Sequence, residues 1–129
     1  MCRLLVADDD VQQLAIRKLL LEAAGHDVTV AEDASEAGRL FAELRPDVLV
    51  MDLCLPKLKD GLSLIRSVDA QGLGTKVIVL SGWTEELCDL PEEKLVACVL
   101  GKPIRNDHLL EAISAAVSSP VRNPRAAAS

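Results

Sequence analysis

Acidic, hydroxyl and ammonium side chains stand directly after four apolar segments of this sequence. Asp8 and Asp9 follow the first segment, Asp52 the second, Ser81 the third and Lys102 the fourth. Carboxylates that lie close together repel one another strongly unless a cation neutralises them. Magnesium binds carboxylate oxygens, commonly together with water and phosphate. If the four segments end at one place, these residues predict a site there for Mg²⁺ or Mn²⁺.

The same residues indicate a reaction class. Asp52 is the best candidate for a nucleophile, because it would have the metal ion on one side and Lys102 on the other. Ser81 and Lys102 would bind further oxygens of a phosphoryl group through a hydroxyl and an ammonium group. In-line phosphoryl transfer depends on this kind of positioning and charge neutralisation.

Alternating strands and helices are predicted around these positions. Apolar runs predict short strands over residues 3–7, 27–31, 48–51, 77–80 and 96–100. Helical spacing and breakers predict helices over 11–24, between Asp33 and Pro46, and over 62–68, 84–94 and 106–118. Asp33 and Glu36 have the spacing of a capping box, and Pro91 must shorten the fourth helix.

Five strands that alternate with helices predict an α/β protein with a parallel sheet covered on both faces. They suit the flavodoxin-like (βα)5 three-layer sandwich with strand order 2-1-3-4-5. In that order strands 1, 3, 4 and 5 are neighbours, so their carboxyl ends would bring the polar residues into one crevice. Residues 1–118 are expected to form this domain, and residues 119–129 a flexible C-terminal tail.

Apolar stripes support two of the helices in particular. The stripe on which the first helix is predicted consists of Ile16, Leu19, Leu20 and Ala23. The residues of the last helix that are expected to face inward are Leu109, Ala112, Ile113 and Ala116. Asp10 is expected only to cap the first helix.

Composition and charge exclude several classes of function. The formal net charge is −6 and no stretch is rich in Lys or Arg, so direct nucleic-acid binding is not expected. The apolar runs are too short to cross a membrane. The four cysteines lack the spacing of a zinc site, and we expect reduced thiols in a cytoplasmic protein.

Several segments together resemble the receiver domains of two-component response regulators. The segments are Leu4–Asp10, Pro46–Pro56, Leu80–Gly82 and Lys102–Pro103, and the resemblance covers residues 3–118. Each motif is weak by itself, but their order along the chain, each after a predicted strand, makes the set specific.

The resemblance implies a role for each site residue. Asp52 would accept the phosphoryl group from a phosphohistidine on a sensor histidine kinase or a histidine phosphotransfer protein. Asp9 would bind magnesium directly and Asp8 mainly through water, and the backbone carbonyl of Cys54 would be a further ligand. Ser81 and Lys102 would bind the phosphoryl oxygens, and the peptide bond before Pro103 would be cis.

The resemblance also implies a readout. Phosphorylation would shift a face made by the helix over 84–94, the last strand and the last helix, where an output protein would dock. The chain would not be an enzyme with a separate turnover substrate. Receivers usually carry Tyr or Phe three residues before the Lys, but here that position is Val99. Rotation of an aromatic ring is therefore not the expected switch.

Two alternatives stay open on the sequence alone. Val99 is compatible with a pseudo-receiver, an interaction module that signals without phosphate. The run that ends in Asp8-Asp9-Asp10 also matches the start of haloacid-dehalogenase phosphatases, in which Asp8 would be the nucleophile and Asp10 the acid/base. That reading leaves Asp52 without a role.

Overall fold

The computed structural model describes residues 2–55, 57–82 and 90–118. A five-stranded parallel sheet with the order β2-β1-β3-β4-β5 forms its centre, which confirms the predicted order. The strands are Arg3–Ala7 (β1), Asp27–Ala31 (β2), Val48–Asp52 (β3), Lys76–Ser81 (β4) and Cys98–Gly101 (β5). All five strands point the same way, so their last residues lie along one edge of the sheet, which we call the carboxyl edge. The opposite edge is the amino edge.

The helices cover both faces of this sheet. They are Val11–Ala23 (α1), Ala34–Leu44 (α2), Leu58–Gln71 (α3) and Asn106–Ser118 (α4), with a 3-10 helix over Pro91–Leu95. The helix predicted over 84–94 falls largely on residues 83–89, which lie outside the described part of the chain, as does the predicted tail 119–129. Pro91 begins the 3-10 helix, in keeping with the expected effect of a proline without a backbone N–H.

Two apolar clusters, one on each face of the sheet, form the core. Successive residues of a strand point to opposite faces, so Leu5 packs with α2 and α3 while Leu4 packs with α1 and α4. The first cluster contains Phe41, whose side chain is fully buried. In the second, Leu109 and Ile113 of α4 are buried as predicted. Burial on both faces explains why β1, β3 and β4 are almost entirely apolar.

Helix α1 forms where it was predicted, but its apolar stripe faces outward. The exposed residues include Ile16, Leu19, Leu20 and Ala23. The inward face instead carries Leu14, Arg17 and Leu21. Both faces of this helix offer apolar residues, so spacing alone does not choose between them. The observed face is favoured because Leu14 and Leu21 fill the core while Arg17 reaches a buried carboxylate at the carboxyl edge.

Helix α3 begins four residues earlier than the predicted position 62. Its first turn is stabilised by Asp60, whose Oδ2 accepts a hydrogen bond of 3.1 Å from the Lys57 backbone N–H. Gly61 lies inside this turn against the segment that follows β3. A Cβ atom at Gly61 would lie 1.7 Å from the Leu53 carbonyl oxygen, so only glycine allows this close approach.

Side chains and backbone pair closely at the amino edge. The Asp47 backbone N–H donates to the Arg3 carbonyl at 2.8 Å, and the Arg3 N–H donates to Asp47 Oδ2 at 2.9 Å. Arg3 Nη1 donates to the Leu44 carbonyl at 2.8 Å. The Cys2 N–H donates to His26 Nδ1 at 3.3 Å. These bonds fix the starts of β1 and β3 and give these polar groups hydrogen-bond partners.

Candidate functional site

Three carboxylates converge at the carboxyl edge because β1 and β3 are neighbours. Ala7 pairs with Met51, so the residues that follow them reach the rim of the sheet side by side. Oxygens of Asp8, Asp9 and Asp52 all lie within 4.8 Å of one another. Asp8 is buried, Asp52 is half-buried and Asp9 is exposed. The cluster is therefore open to solvent on the side of Asp9.

The loop after β5 brings Lys102 into the cluster. Its Nζ lies 2.6 Å from Asp52 Oδ2 and 3.8 Å from Asp8 Oδ2. The Lys102 backbone N–H donates to the Ser81 carbonyl at 2.8 Å, which ties this loop to the end of β4. The Lys102–Pro103 peptide bond is cis, as the resemblance implies. The ammonium group is thus held against the carboxylate of Asp52.

Ser81 and Cys54 complete the predicted set. Ser81 is the last residue of β4, pairs with Gly101 and is 2% exposed. The Cys54 backbone N–H donates to Asp52 Oδ1 at 3.2 Å, which holds the segment after β3 close to the Asp52 carboxylate. The structure therefore places all the predicted site residues along one stretch of the carboxyl edge.

The electrostatics of the cluster favour a bound cation. Partial desolvation, followed by the negative charges of Asp52 and Asp8, raises the pKa of the Asp9 carboxyl group above its ordinary value. A divalent cation would relieve this repulsion. Clustered carboxylate oxygens with an open side are a donor set that Mg²⁺ and Mn²⁺ prefer, since both ions keep water and phosphate among their ligands. The residues present fit such an ion.

A family model described as the response regulator receiver domain matches residues 4–114. The chain belongs to this family. Solved receiver domains have the same fold as this one. The receiver domain from Clostridium thermocellum superposes with a TM-score of 0.82 at 30% identity, covering 91% of this chain and 94% of that chain. The receiver domain of the Francisella response regulator 1452 superposes with a TM-score of 0.81 at 33% identity, covering 91% of this chain and 97% of that chain.

Curated relatives of this receiver domain are longer proteins. The virulence transcriptional regulatory protein PhoP of Salmonella typhimurium is 39% identical over 90 residues, which are 67% of this chain and 40% of that protein. The transcriptional regulatory protein PrrA of Mycobacterium leprae is 40% identical over 79 residues, which are 61% of this chain and 34% of that protein. The chain thus spans less than half the length of these relatives.

Arg17 is a residue of this receiver domain that the sequence analysis missed. Its Nη1 donates to Asp8 Oδ2 at 2.7 Å, and both residues are buried. A basic residue inside an apolar helix gives no signal in spacing, because charged residues are expected on the solvent face. The signal that could have found it is position: Arg17 lies on the same face as Leu14 and Leu21, two turns into the helix that starts beside Asp8.

Two further residues of the receiver domain are placed as follows. Val99 of β5 is half-buried and packs against the cluster that contains Phe41. Asp10 caps α1 as expected, because its side chain accepts hydrogen bonds from the backbone N–H groups of Gln12 and Gln13.

Among the described residues, no helix combines the length and the apolar content that crossing a membrane requires.

Proposed function

We propose that Asp52 of this receiver domain accepts a phosphoryl group from a phosphohistidine, with Mg²⁺ or Mn²⁺ bound by Asp8, Asp9, Asp52 and the Cys54 carbonyl. The donor is a sensor histidine kinase or a histidine phosphotransfer protein. The observation that carries the proposal is the 2.6 Å contact between Lys102 Nζ and Asp52 Oδ2 inside a cluster of three carboxylates. Asp52 is the carboxylate that both this ammonium group and a bound metal ion would touch.

The proposed reaction is an in-line displacement at phosphorus. A carboxylate oxygen of Asp52 attacks, the bond between phosphorus and the donor histidine nitrogen breaks, and a bond between phosphorus and the Asp52 oxygen forms. The histidine ring, which carries a proton on its other nitrogen, leaves with the electron pair of the broken bond as neutral imidazole. The product is an acyl phosphate on Asp52, which water later hydrolyses. Each turnover thus modifies the protein itself, and no separate substrate is expected.

The surrounding residues neutralise the charge of the transferred group. Lys102 moves its contact from the Asp52 carboxylate to a phosphoryl oxygen, and the Ser81 hydroxyl donates to another. The metal ion, when bound, supplies charge neutralisation and orients the phosphoryl oxygens. Asp8 and Asp9 hold that ion in place. Cys2 and Cys98 carry reduced thiols, which support a cytoplasmic location for this reaction.

The readout proposed for this site starts at Ser81 and Lys102. A phosphoryl group on Asp52 would draw both side chains towards it and bias the equilibrium between two arrangements of their loops. Their loops adjoin β5 and α4, and Cys98, Val99 and Leu100 of β5 are only half-buried. We propose that an output protein docks on the face formed by β5 and α4; the helix predicted over 84–94 as the rest of that face falls largely outside the described residues. Val99 would transmit the change by packing rather than by rotation of a ring.

The phosphatase alternative fits the geometry poorly. Asp8, its candidate nucleophile, is 1% exposed and ion-paired with Arg17. Asp10, its candidate acid/base, is engaged as the cap of α1. The pseudo-receiver alternative is supported by Val99 alone, and the complete set of acids, Lys102 and Ser81 weighs against it.

Intact mass spectrometry tests the proposed function. The full chain is incubated with Mg²⁺ and acetyl phosphate, a small phosphodonor, and should gain the mass of one phosphoryl group. Asp52→Asn should show no gain. The matched control is Asp47→Asn, which removes one carboxylate at the amino edge of the same strand and should be labelled like the wild type. Absence of labelling in the wild type would favour the pseudo-receiver, and full labelling of Asp52→Asn would show that the acceptor is misassigned.

A further inference from the structure

Arg17 is a buried cation to which the proposed phosphoryl-transfer step assigns no role. It is 6% exposed and lies on the inward face of α1 between Leu14 and Leu21. An apolar residue would cover the sheet equally well at this position. Burial of a guanidinium group is unfavourable unless a matched charge and hydrogen bonds compensate it. The compensating group here is Asp8, which Arg17 meets at 2.7 Å.

Both oxygens of the Asp8 carboxylate are engaged. Oδ1 accepts the Asp10 backbone N–H at 2.9 Å, and Oδ2 accepts Arg17 Nη1. Lys102 Nζ approaches the same Oδ2 at 3.8 Å. The orientation of Asp8 is therefore set by the protein, and its charge is offset by Arg17 before any metal ion binds. Asp9 and Asp52 are the carboxylates whose charge a metal ion would neutralise.

We propose that Arg17 is a positioning residue that lowers the affinity of the resting site for its divalent metal ion. The inference rests on the metal site proposed above. Among the residues that the structure describes, the three carboxylates face two cations, Arg17 and Lys102, so this group of side chains carries a single net negative charge. A divalent ion alone makes the cluster positive, whereas the ion together with a dianionic phosphoryl group on Asp52 makes it neutral. Arg17 thus favours binding of the ion and the phosphoryl group together over binding of the ion alone.

Metal affinity of charge-matched variants tests this proposal without any phosphorylation step. Mn²⁺ is titrated into the full chain and followed by the loss of the electron paramagnetic resonance signal of free Mn²⁺, with Mg²⁺ as competitor. Arg17→Gln removes the charge but keeps an N–H donor for Asp8, and should bind Mn²⁺ about tenfold more tightly. Arg17→Lys retains the charge and should bind nearly as the wild type does.

The matched control is Lys18→Gln on the same helix. Lys18 is the next residue, half-exposed and paired with Glu22 at 3.2 Å, so its loss changes the net charge equally but away from the cluster. Its Kd for Mn²⁺ should stay within about twofold of the wild-type value, because exposed charges are screened by solvent and salt. A tenfold effect in Arg17→Gln with none in Lys18→Gln supports a local role for Arg17.

Other results overturn the proposal, alone or together with the metal site. Equal Kd values for wild type, Arg17→Gln and Lys18→Gln overturn the role of Arg17 and leave the metal site standing. No Mn²⁺ binding by the wild type overturns both. If Arg17→Gln is unstable without metal, the Mn²⁺-dependent increase in unfolding free energy is measured by urea denaturation for each variant, because an ion that binds only the folded state stabilises it according to its Kd. A larger increase in Arg17→Gln than in Arg17→Lys at the same Mn²⁺ concentration supports the proposal, and an equal or smaller increase contradicts it.

Discussion

The two edges of the sheet differ in their electrostatics. At the amino edge, Asp47 is bonded to the Arg3 backbone, and His26 accepts a backbone N–H, so each polar group has a partner. At the carboxyl edge, partial desolvation and then the negative charges of Asp52 and Asp8 raise the pKa of Asp9. One edge is arranged for stability and the other keeps unfavourable charge available for chemistry. Changes at the two edges should therefore have different effects on stability and on phosphorylation.

The largest effect on stability is expected from Phe41, in the last turn of α2, which leads towards the amino edge. Phe41→Ala should lower the free energy of unfolding by about 3–5 kcal/mol, because it leaves a cavity in a fully buried cluster. Phe41→Leu should cost clearly less. Urea denaturation measures both, and phosphorylation of the folded fraction should remain. Loss of phosphorylation in folded Phe41→Leu would show that the two edges are not independent.

Substitution of Gly61 should affect both stability and phosphorylation, because this residue lies beside the carboxyl edge. The added Cβ of Gly61→Ala would meet the Leu53 carbonyl at 1.7 Å, so the segment before Cys54 must move. We expect a loss of about 1–3 kcal/mol in stability and slower phosphorylation. Gly38→Ala in α2 is the matched control, since its Cβ would meet only Leu64 at 3.9 Å. That variant should gain about 0.5–1 kcal/mol in stability and be phosphorylated normally.

Asp9→Asn should have a smaller effect on stability, and of opposite sign. Desolvation and the neighbouring carboxylates raise the pKa of Asp9, so its ionised form is disfavoured in the folded protein. Without metal at neutral pH, the variant should therefore melt at a slightly higher temperature than the wild type. Mn²⁺ should stabilise the wild type and have less effect on the variant. A lower melting temperature for metal-free Asp9→Asn would contradict the view that the carboxylate of Asp9 is repelled by its neighbours in the folded protein.

The smallest effect is expected from His26 at the amino edge. Burial lowers the pKa of His26, so the folded state prefers the neutral ring that accepts the Cys2 N–H. The unfolded chain then binds more protons below its ordinary pKa of about 6.5, and stability should fall as the pH drops from there through the lowered pKa. Urea midpoints between about pH 7.5 and about pH 5.5 should shift less in His26→Asn. A pH dependence in His26→Asn equal to that of the wild type would contradict this assignment.

The residues that end the strands could be predicted because strand period and topology act together. Buried parallel strands appear as apolar runs, and the order 2-1-3-4-5 then fixes which ends meet. Asp8, Asp52, Ser81 and Lys102 could thus be grouped from the sequence. Their distances could not, because these depend on side-chain conformations and on the loop that carries Lys102.

The errors of sequence reasoning concern helices with more than one possible inward face. Spacing selected Ile16 and Leu19 in α1, but the fold buries Leu14 and Arg17 instead. An ion pair between a helix and a strand end leaves no periodic signal. The predicted start of α3 at residue 62 is too late because glycine is disfavoured inside helices, whereas Gly61 lies in the first turn and permits the close approach of the helix to Leu53.

The order of the strands has a consequence for folding. Asp8 lies near the beginning of the chain, Asp52 near its middle and Lys102 near its end. Asp8 meets Asp52 through the pairing of β1 with β3, which are not consecutive in the sequence, and Lys102 reaches them through β4 and β5. Such long-range pairings form slowly, because the chain loses conformational entropy on closing the loop before the stabilising contacts form. A nascent or partly folded chain therefore lacks the assembled cluster of Asp8, Asp52 and Lys102. Under the function proposed above, phosphorylation of Asp52 would require that the sheet has formed.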